Sequence, residues 1–222
     1  MKKTLALITR NEVPMLTRTL PVMAPLFDEI LAVDACSTDG TQDLLRSFGA
    51  TVVSRPWSDD YAAARNRAIQ DVTGEAIFMF DADEAVFPDG LKAAVLGLEH
   101  HPAVVLPRIE FVFDLDHYNP DIGPDLQARF FRRDAVPRFA GRVHETLVIL
   151  GGERAFETGH RVDACQIYHY GQTKPLAETV LRHYNYGRIQ SGLQPVIVLP
   201  SDVPLVLHHR KVAFPGPHPL RK

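Results

Sequence analysis

Phe78-Met79-Phe80-Asp81-Ala82-Asp83-Glu84 is an apolar run that ends abruptly in three carboxylates within four positions. Carboxylates this crowded repel one another at neutral pH unless a cation lies among them. Hard oxygen donors of this kind suit Mg2+ or Mn2+. Asp81 and Asp83 are one residue apart, so on an extended chain leaving a buried strand both side chains point to the same side. A site with few protein donors shares its ion with phosphate oxygens, which points to phosphate chemistry. Taken alone the turn reads equally well as a solvated loop, and its surroundings decide.

Upstream, Leu5-Ala6-Leu7-Ile8 reads as a short buried strand. Arg10-Asn11-Glu12 interrupts it, and 13–23 has helical apolar spacing with Pro14 in the first turn. Residues 29–34 form a second apolar strand ending on Asp34, and 35–40 form a loop that can cap a helix over 41–48. A β-branched strand at 51–54 and a helix over 61–70, capped from Ser58-Asp59-Asp60, make a third unit; 76–80 is the fourth strand. Strands alternating with helices predict an α/β fold with right-handed crossovers and a parallel sheet. Ligands of such sheets collect at the carboxyl ends of the strands, where Thr9, Asp34 and Asp81 fall.

The second half is less regular. A helix is expected over 88–99, strands over 103–109, 128–132 and 167–171, and a last amphipathic helix over 175–191. The connection 114–125, rich in Asp, Pro and Gly, is long enough to be an active-site loop. The tail from 195, with Pro200, Pro204, Pro215, Pro217 and Pro219, is expected to be extended or loosely held.

A net charge of −3 argues against a general nucleic-acid binder, which needs a basic face to displace counterions. Cys36 and Cys165 are too few and too far apart for a disulfide framework; they read as core or near-core residues of a protein in a reducing cytosol. The apolar start is broken by Arg10-Asn11-Glu12 before a signal-peptide core forms, and no run reaches bilayer length. The expectation is a soluble cytoplasmic protein, able to rest on a membrane surface through Arg182, Arg188, His208, His209, Arg210 and Lys211. A solvated helix face and tail is the alternative use of those residues.

Four pieces occur in a fixed order: Thr9-Arg10-Asn11-Glu12 after the first strand, Val33-Asp34-Ala35-Cys36-Ser37-Thr38-Asp39-Gly40-Thr41 after the second, Ala64-Arg65-Asn66 in the third helix, and Asp81-Ala82-Asp83-Glu84 after the fourth strand. Together they resemble the family-2 glycosyltransferases, closest to a branch that includes lipopolysaccharide-core glucosyltransferases. The resemblance implies the GT-A nucleotide-diphospho-sugar fold, a Rossmann-like α/β/α sandwich with a mostly parallel sheet and a less regular acceptor-binding part. It divides the chain into one domain over 1–194, with a nucleotide-sugar half at 1–100 and an acceptor half at 101–194, followed by a Pro-rich extension at 195–222.

The activity implied is transfer of a sugar, glucose favoured, from a UDP-sugar to a hydroxyl of a glycan or lipid-linked glycan, with inversion and with Mn2+ or Mg2+. The resemblance makes Asp83 the direct metal ligand and Asp81 its nucleotide-side partner; Glu84 accepts hydrogen bonds from sugar hydroxyls or loop amides, or is structural. Thr9, Asn11 and Glu12 contact the nucleotide, and Asp34 reads the uracil or ribose, although Ala35 stands where the family commonly has a second acid. Arg65 reaches the diphosphate as a fixed cation, or pairs on the surface with Asp59 or Asp60.

Glu145, in Gly141-Arg142-Val143-His144-Glu145, matches the segment carrying the general base, with Asp125 and Asp116 in reserve and His144 as an orienting group. His169 matches a C-terminal histidine that adds a third metal ligand or a diphosphate contact. Trp57 and Tyr61 stack on a base or sugar or pack in the core. Two alternatives remain open. A nucleotidyltransferase would need a glycine-rich phosphate loop that Thr9-Arg10-Asn11-Glu12 lacks, and a silent nucleotide-sugar-binding module would be expected to have lost acids that persist here.

Overall fold

The computed structural model describes residues 1–121, 125–196, 198, 200 and 212–220. The chain runs β1 (Lys3–Thr9), α1 (Val13–Met23), β2 (Glu29–Asp34), α2 (Thr41–Ser47), β3 (Thr51–Ser54), α3 (Tyr61–Asp71), β4 (Ala76–Asp81), β5 (Glu84–Ala85) and α4 (Pro88–His100). It continues through β6 (Ala103–Val112), β7 (His117–Tyr118), β8 (Asp125–Arg132), β9 (Arg138–Ala140), β10 (Thr146–Val148), α5 (Ala155–Thr158), β11 (His160–Arg161), β12 (Ile167–Gln172), α6 (Leu176–Gln190) and β13 (Val212–Ala213).

The sheet order is β13-β7-β6-β8-β4-β1-β2-β3, with β12 and β11 added along β6. The run β3-β2-β1-β4 is parallel throughout. Beyond that run the sheet is mixed: β8 is inserted antiparallel between β4 and β6, and β5 on β12, β7 on β6 and β13 on β7 also pair antiparallel. In the parallel part the register aligns Thr9 with Asp34 and Ile8 with Asp81, so the sheet edge presents these positions at one level.

Strand alternation explains the three layers. Leu5, Leu7, Ala32, Phe78 and Phe80 turn to the face covered by Leu16, Leu20, Leu45 and Leu91 of α1, α2 and α4. Ala6, Leu31, Val33, Ile77 and Met79 turn to the opposite face, with Ala62 and Ala68 of α3, Phe139 and Leu147 of the β9–β10 hairpin, and Ala155. The result is an α/β/α sandwich. Asp60 caps α3, accepting the Ala63 N–H at 2.8 Å, as its position before Tyr61 predicts.

Within the tail, residues 212–220 are held rather than loose, with an extended pair at Val212–Ala213. Val212 pairs with Tyr118, and Phe214 and His218 pack on Phe111. Two aromatic side chains filling the gap beside β6 account for the ordered path of a Pro-rich segment. Residues 201–211, including His208, His209, Arg210 and Lys211, lie outside the described residues. Cys165 is buried, but Cys36 is exposed at φ +57°, a loop position rather than a core one.

Candidate active site

The carboxyl edge of β1, β2 and β4 opens into two cavities, of about 630 Å3 and about 400 Å3. Asp81 ends β4, and each of its oxygens accepts from an arginine: Oδ1 from Arg65 Nη2 at 2.6 Å, Oδ2 from Arg129 Nη2 at 2.5 Å. Burial pushes the Asp81 carboxyl up, but the two guanidinium groups outweigh it and hold it at about 2. Arg65 is itself buried, and its Nε donates to Glu145 Oε1 at 2.5 Å. One side chain of α3 thus ties the acidic turn to the acceptor-side glutamate, and the surface pairing with Asp59 or Asp60 does not occur.

Asp83 is buried beside three cationic groups. His169 Nε2 lies 3.4 Å from Oδ1, and Lys174 Nζ and Arg182 Nη1 each lie 3.5 Å from Oδ2. Burial raises the Asp83 carboxyl, yet His169, then Lys174 and Arg182, bring it well below the ordinary value. The other imidazole nitrogen, Nδ1, is 2.7 Å from Glu110 Oε2 on β6. Burial pulls this imidazole down, and Glu110 and Asp83 more than reverse that, raising it to about 10. His169 reaches Asp83 because β5 pairs antiparallel with β12, aligning His169 with Glu84.

Glu84 is fully buried; its Oε2 accepts the Asp81 N–H at 3.0 Å, and Arg129 and Arg108 lie 3.6 and 3.7 Å from Oε1. Of its two expected roles, the one seen is acceptance from a loop amide. Glu12 sits 2.6 Å from Lys174 Nζ, and burial, opposed by that lysine, raises its carboxyl to about 7. Thr9 and Glu12 line the smaller cavity.

Asp34 and Asn11 are engaged differently from expectation. Asp34 is fully buried and accepts from Thr9 Oγ1, the Ser37 N–H, Ser37 Oγ and Gln42 Nε2. Asn11, at φ +54°, accepts the Thr38 N–H at 2.9 Å. Both pin the loop between β2 and α2, and neither lines either of these two cavities. A carboxylate whose lone pairs are already taken by its own loop has little left for a ligand. Asp125 is held by Arg108 Nη2 at 2.5 Å. His144, exposed at φ +51°, meets Tyr186 edge-on, and Trp57 and Tyr61 line the smaller cavity rather than the core.

Sequence reasoning missed Arg108, Glu110, Arg129 and Lys174, and read Arg182 as a membrane-surface contact or part of a solvated helix face. The signal available was a charged residue inside an apolar strand, as at Arg129 between Ala128 and Phe130-Phe131.

Among the described residues no three His, Cys, Asp or Glu side chains surround one ion position. Asp83 and His169 nevertheless make a two-donor pair once an ion displaces the His169 Nε2 proton, with the histidine oriented by Glu110, an arrangement common behind metal-bound imidazoles. Gly171 leaves this pair room: a Cβ there would stand 2.6 Å from His169 Nε2 and 3.0 Å from Asp83 Oδ2. These residues fit a divalent ion completed by phosphate oxygens.

Residues 4–144 match the family model for glycosyl transferase family 2. A TPR repeat-containing protein of Synechococcus elongatus is 28% identical over 188 residues, which cover 83% of this chain and 42% of that protein. The SPbeta prophage-derived glycosyltransferase SunS of Bacillus subtilis is 30% identical over 149 residues, 64% of this chain and 34% of that protein. The chain therefore spans less than half the length of these curated relatives.

Among solved structures, glucosyl-3-phosphoglycerate synthase from Mycobacterium tuberculosis, in complex with Mn2+, UDP and glucosyl-3-phosphoglycerate, superposes with a TM-score of 0.55 at 18% identity, covering 96% of this chain and 87% of that one. The mannosyltransferase PcManGT from Pyrobaculum calidifontis, in complex with GDP-Man and Mn2+, also gives 0.55 at 18% identity over 83% of this chain and 61% of its own. At such identities the likeness is one of fold.

Proposed function

Because this chain belongs to glycosyl transferase family 2 and has the GT-A fold, we propose that it moves a sugar, glucose favoured, from a UDP-sugar to a hydroxyl of a cell-surface glycan or lipid-linked glycan, with inversion. The observation that carries the reading is Arg65, whose guanidinium lies 2.6 Å from Asp81 and 2.5 Å from Glu145. Leaving-group side and acceptor side are thereby held in one cavity.

In this reading the nucleoside occupies the smaller cavity against Thr9, Trp57 and Tyr61, and the sugar lies in the larger one. Glu145 takes the proton of the acceptor hydroxyl as that oxygen bonds to the anomeric carbon. The bond from the anomeric carbon to the phosphate oxygen breaks on the opposite face, and its electron pair leaves with the nucleoside diphosphate. A divalent ion held by Asp83 and His169 would neutralise the departing phosphates. Asp81, fixed by Arg65 and Arg129, stays ionised and keeps Arg65 aligned on Glu145.

The two-domain-half division at 1–100 and 101–194, with 195–222 as an extension, belongs to the same proposal. Incubating the chain with UDP-glucose and Mn2+ tests it: release of UDP is expected, and Asp83→Ala is expected to abolish it. If a panel of nucleotide sugars is neither bound nor hydrolysed and Asp83→Ala changes nothing, the reading fails.

A further inference from the structure

We propose that Lys174 and Arg182 are the protein's own cations for the leaving diphosphate, an inference that rests on the nucleotide-sugar reading above. Lys174 lies in the turn between β12 and α6, and Arg182 in the second turn of α6. Neither belongs to the strand edge that carries Thr9 and Asp81.

The geometry begins with the two cavities. They share Ile8, Glu12, Tyr61, Glu178, Arg182 and Tyr186 as lining residues. A ligand with its nucleoside in the smaller space and its sugar in the larger must pass its two phosphates through that shared neck. On the larger cavity's side of that neck, Lys174 Nζ and the shared Arg182's Nη1 converge on the same Asp83 oxygen, each at 3.5 Å.

Both separations are longer than a charge-assisted hydrogen bond, so each cation faces Asp83 as a charge without giving it a hydrogen bond. Lys174 has one close partner, Glu12 at 2.6 Å, and an ammonium offers three donors. Arg182 gives one N–H to the Gly171 carbonyl at 2.8 Å, while its Nε is buried without a hydrogen-bond partner. Two cations on one carboxylate, one of them with a buried donor left open, make a cradle for oxyanions.

As the bond to the anomeric carbon breaks, negative charge grows on the diphosphate. Preformed cations beside the neck stabilise that charge without having to reorganise. Glu12 keeps Lys174 in the neck before the donor arrives, and the Gly171 carbonyl does the same for Arg182.

Calorimetric titration of the full chain with UDP and GDP, then with uridine and guanosine, in EDTA and in Mn2+, tests the assignment. Arg182→Gln and Lys174→Gln are each expected to weaken the diphosphates by about tenfold or more, and the nucleosides by less than about twofold. Arg182→Lys is expected to recover most of the loss.

Equal losses for nucleoside and diphosphate would mark a structural role and overturn the inference, as would unchanged UDP and GDP affinity in both glutamine variants. If the wild-type chain binds neither UDP nor GDP, the nucleotide-sugar reading and this inference fall together. Wild-type binding with unaltered variants sinks the inference alone. Thermal melts identify any variant that fails to fold, in which case the other position decides.

Discussion

Arg65 is the residue on which the site's charges balance. Its guanidinium is buried with Asp81 and Glu145 on two of its nitrogens, and a planar fork can serve both where a single ammonium cannot. Arg65→Ala would leave two carboxylates without their shared cation and is expected to cost about 3–5 kcal/mol in urea unfolding. Glu145→Gln keeps the shape but cannot take a proton; its rate of sugar transfer is expected to fall by about 10²–10⁴ while UDP affinity, read by calorimetry, holds. Gly171→Ala tests the ion pocket: its Cβ would meet His169 Nε2 at 2.6 Å and Asp83 Oδ2 at 3.0 Å, so Mn2+ binding followed by electron paramagnetic resonance is expected to weaken while the melting temperature moves little. At this scale the acids of the turn were legible because crowded carboxylates advertise themselves. Arg129 and Glu110 were not, because their partners Asp81 and His169 lie 48 and 59 residues away and no local pattern encodes such pairs.

The strands and helices of the first half follow from periodicity alone, and the reason is physical. β1, β2 and β4 are buried on both faces, so each reads as a nearly unbroken apolar run, and each ends on a polar residue, of which Thr9 and Asp81 line a cavity. The two- and three-residue strands β5, β7, β9, β10, β11 and β13 were not legible: strands that short are made by their partners, as β5 is by β12. β5 matters most among them, since its pairing brings His169 across to the acidic turn. The opposite end of the sheet is fastened by Glu29 at the start of β2. Its carboxylate accepts from Thr4 Oγ1 at 2.5 Å, Thr73 Oγ1 at 2.7 Å and the Gly74 N–H at 3.0 Å, so one side chain joins β1, β2 and the turn before β4. Burial pushes this carboxyl up, but those hydrogen bonds outweigh it and lower it from 4.5 to about 2. The folded value lies below the ordinary one, so the stabilisation is complete above about pH 4.5 and is lost as the pH falls through about 2. Unfolding midpoints measured across that window are expected to converge for wild type and Glu29→Gln as the pH drops, with the wild type more stable at its upper end.

At the scale of the whole molecule, the parallel half supplies a preformed edge, and the later elements fold back to close it. α6 brings Arg182 and Tyr186 over the neck between the cavities, and Tyr186 meets Tyr61 of α3 edge-on at 5.7 Å. This closure was legible only as an amphipathic helix; which face turned inward depended on Asp83, a hundred residues earlier in the chain. The C-terminal segment closes the far side. Phe214 packs against Phe111, Tyr118 and Tyr168 at centroid distances of 5.1, 5.7 and 5.8 Å, and Tyr168 precedes His169 on β12. Six prolines made that tail look loosely held, because proline content reports what the backbone cannot donate and is silent on what a single aromatic can bury. Phe214 is half-buried, so Phe214→Ala is expected to lose about 2 kcal/mol, below the range for a fully buried phenylalanine. Because Tyr168 and His169 point to opposite sides of β12, the lost packing lies behind the strand rather than in the cavity. Urea unfolding should therefore register the full loss while UDP affinity stays within about twofold; an equal fall in both would mean that the tail positions β12 for binding and is no mere buttress.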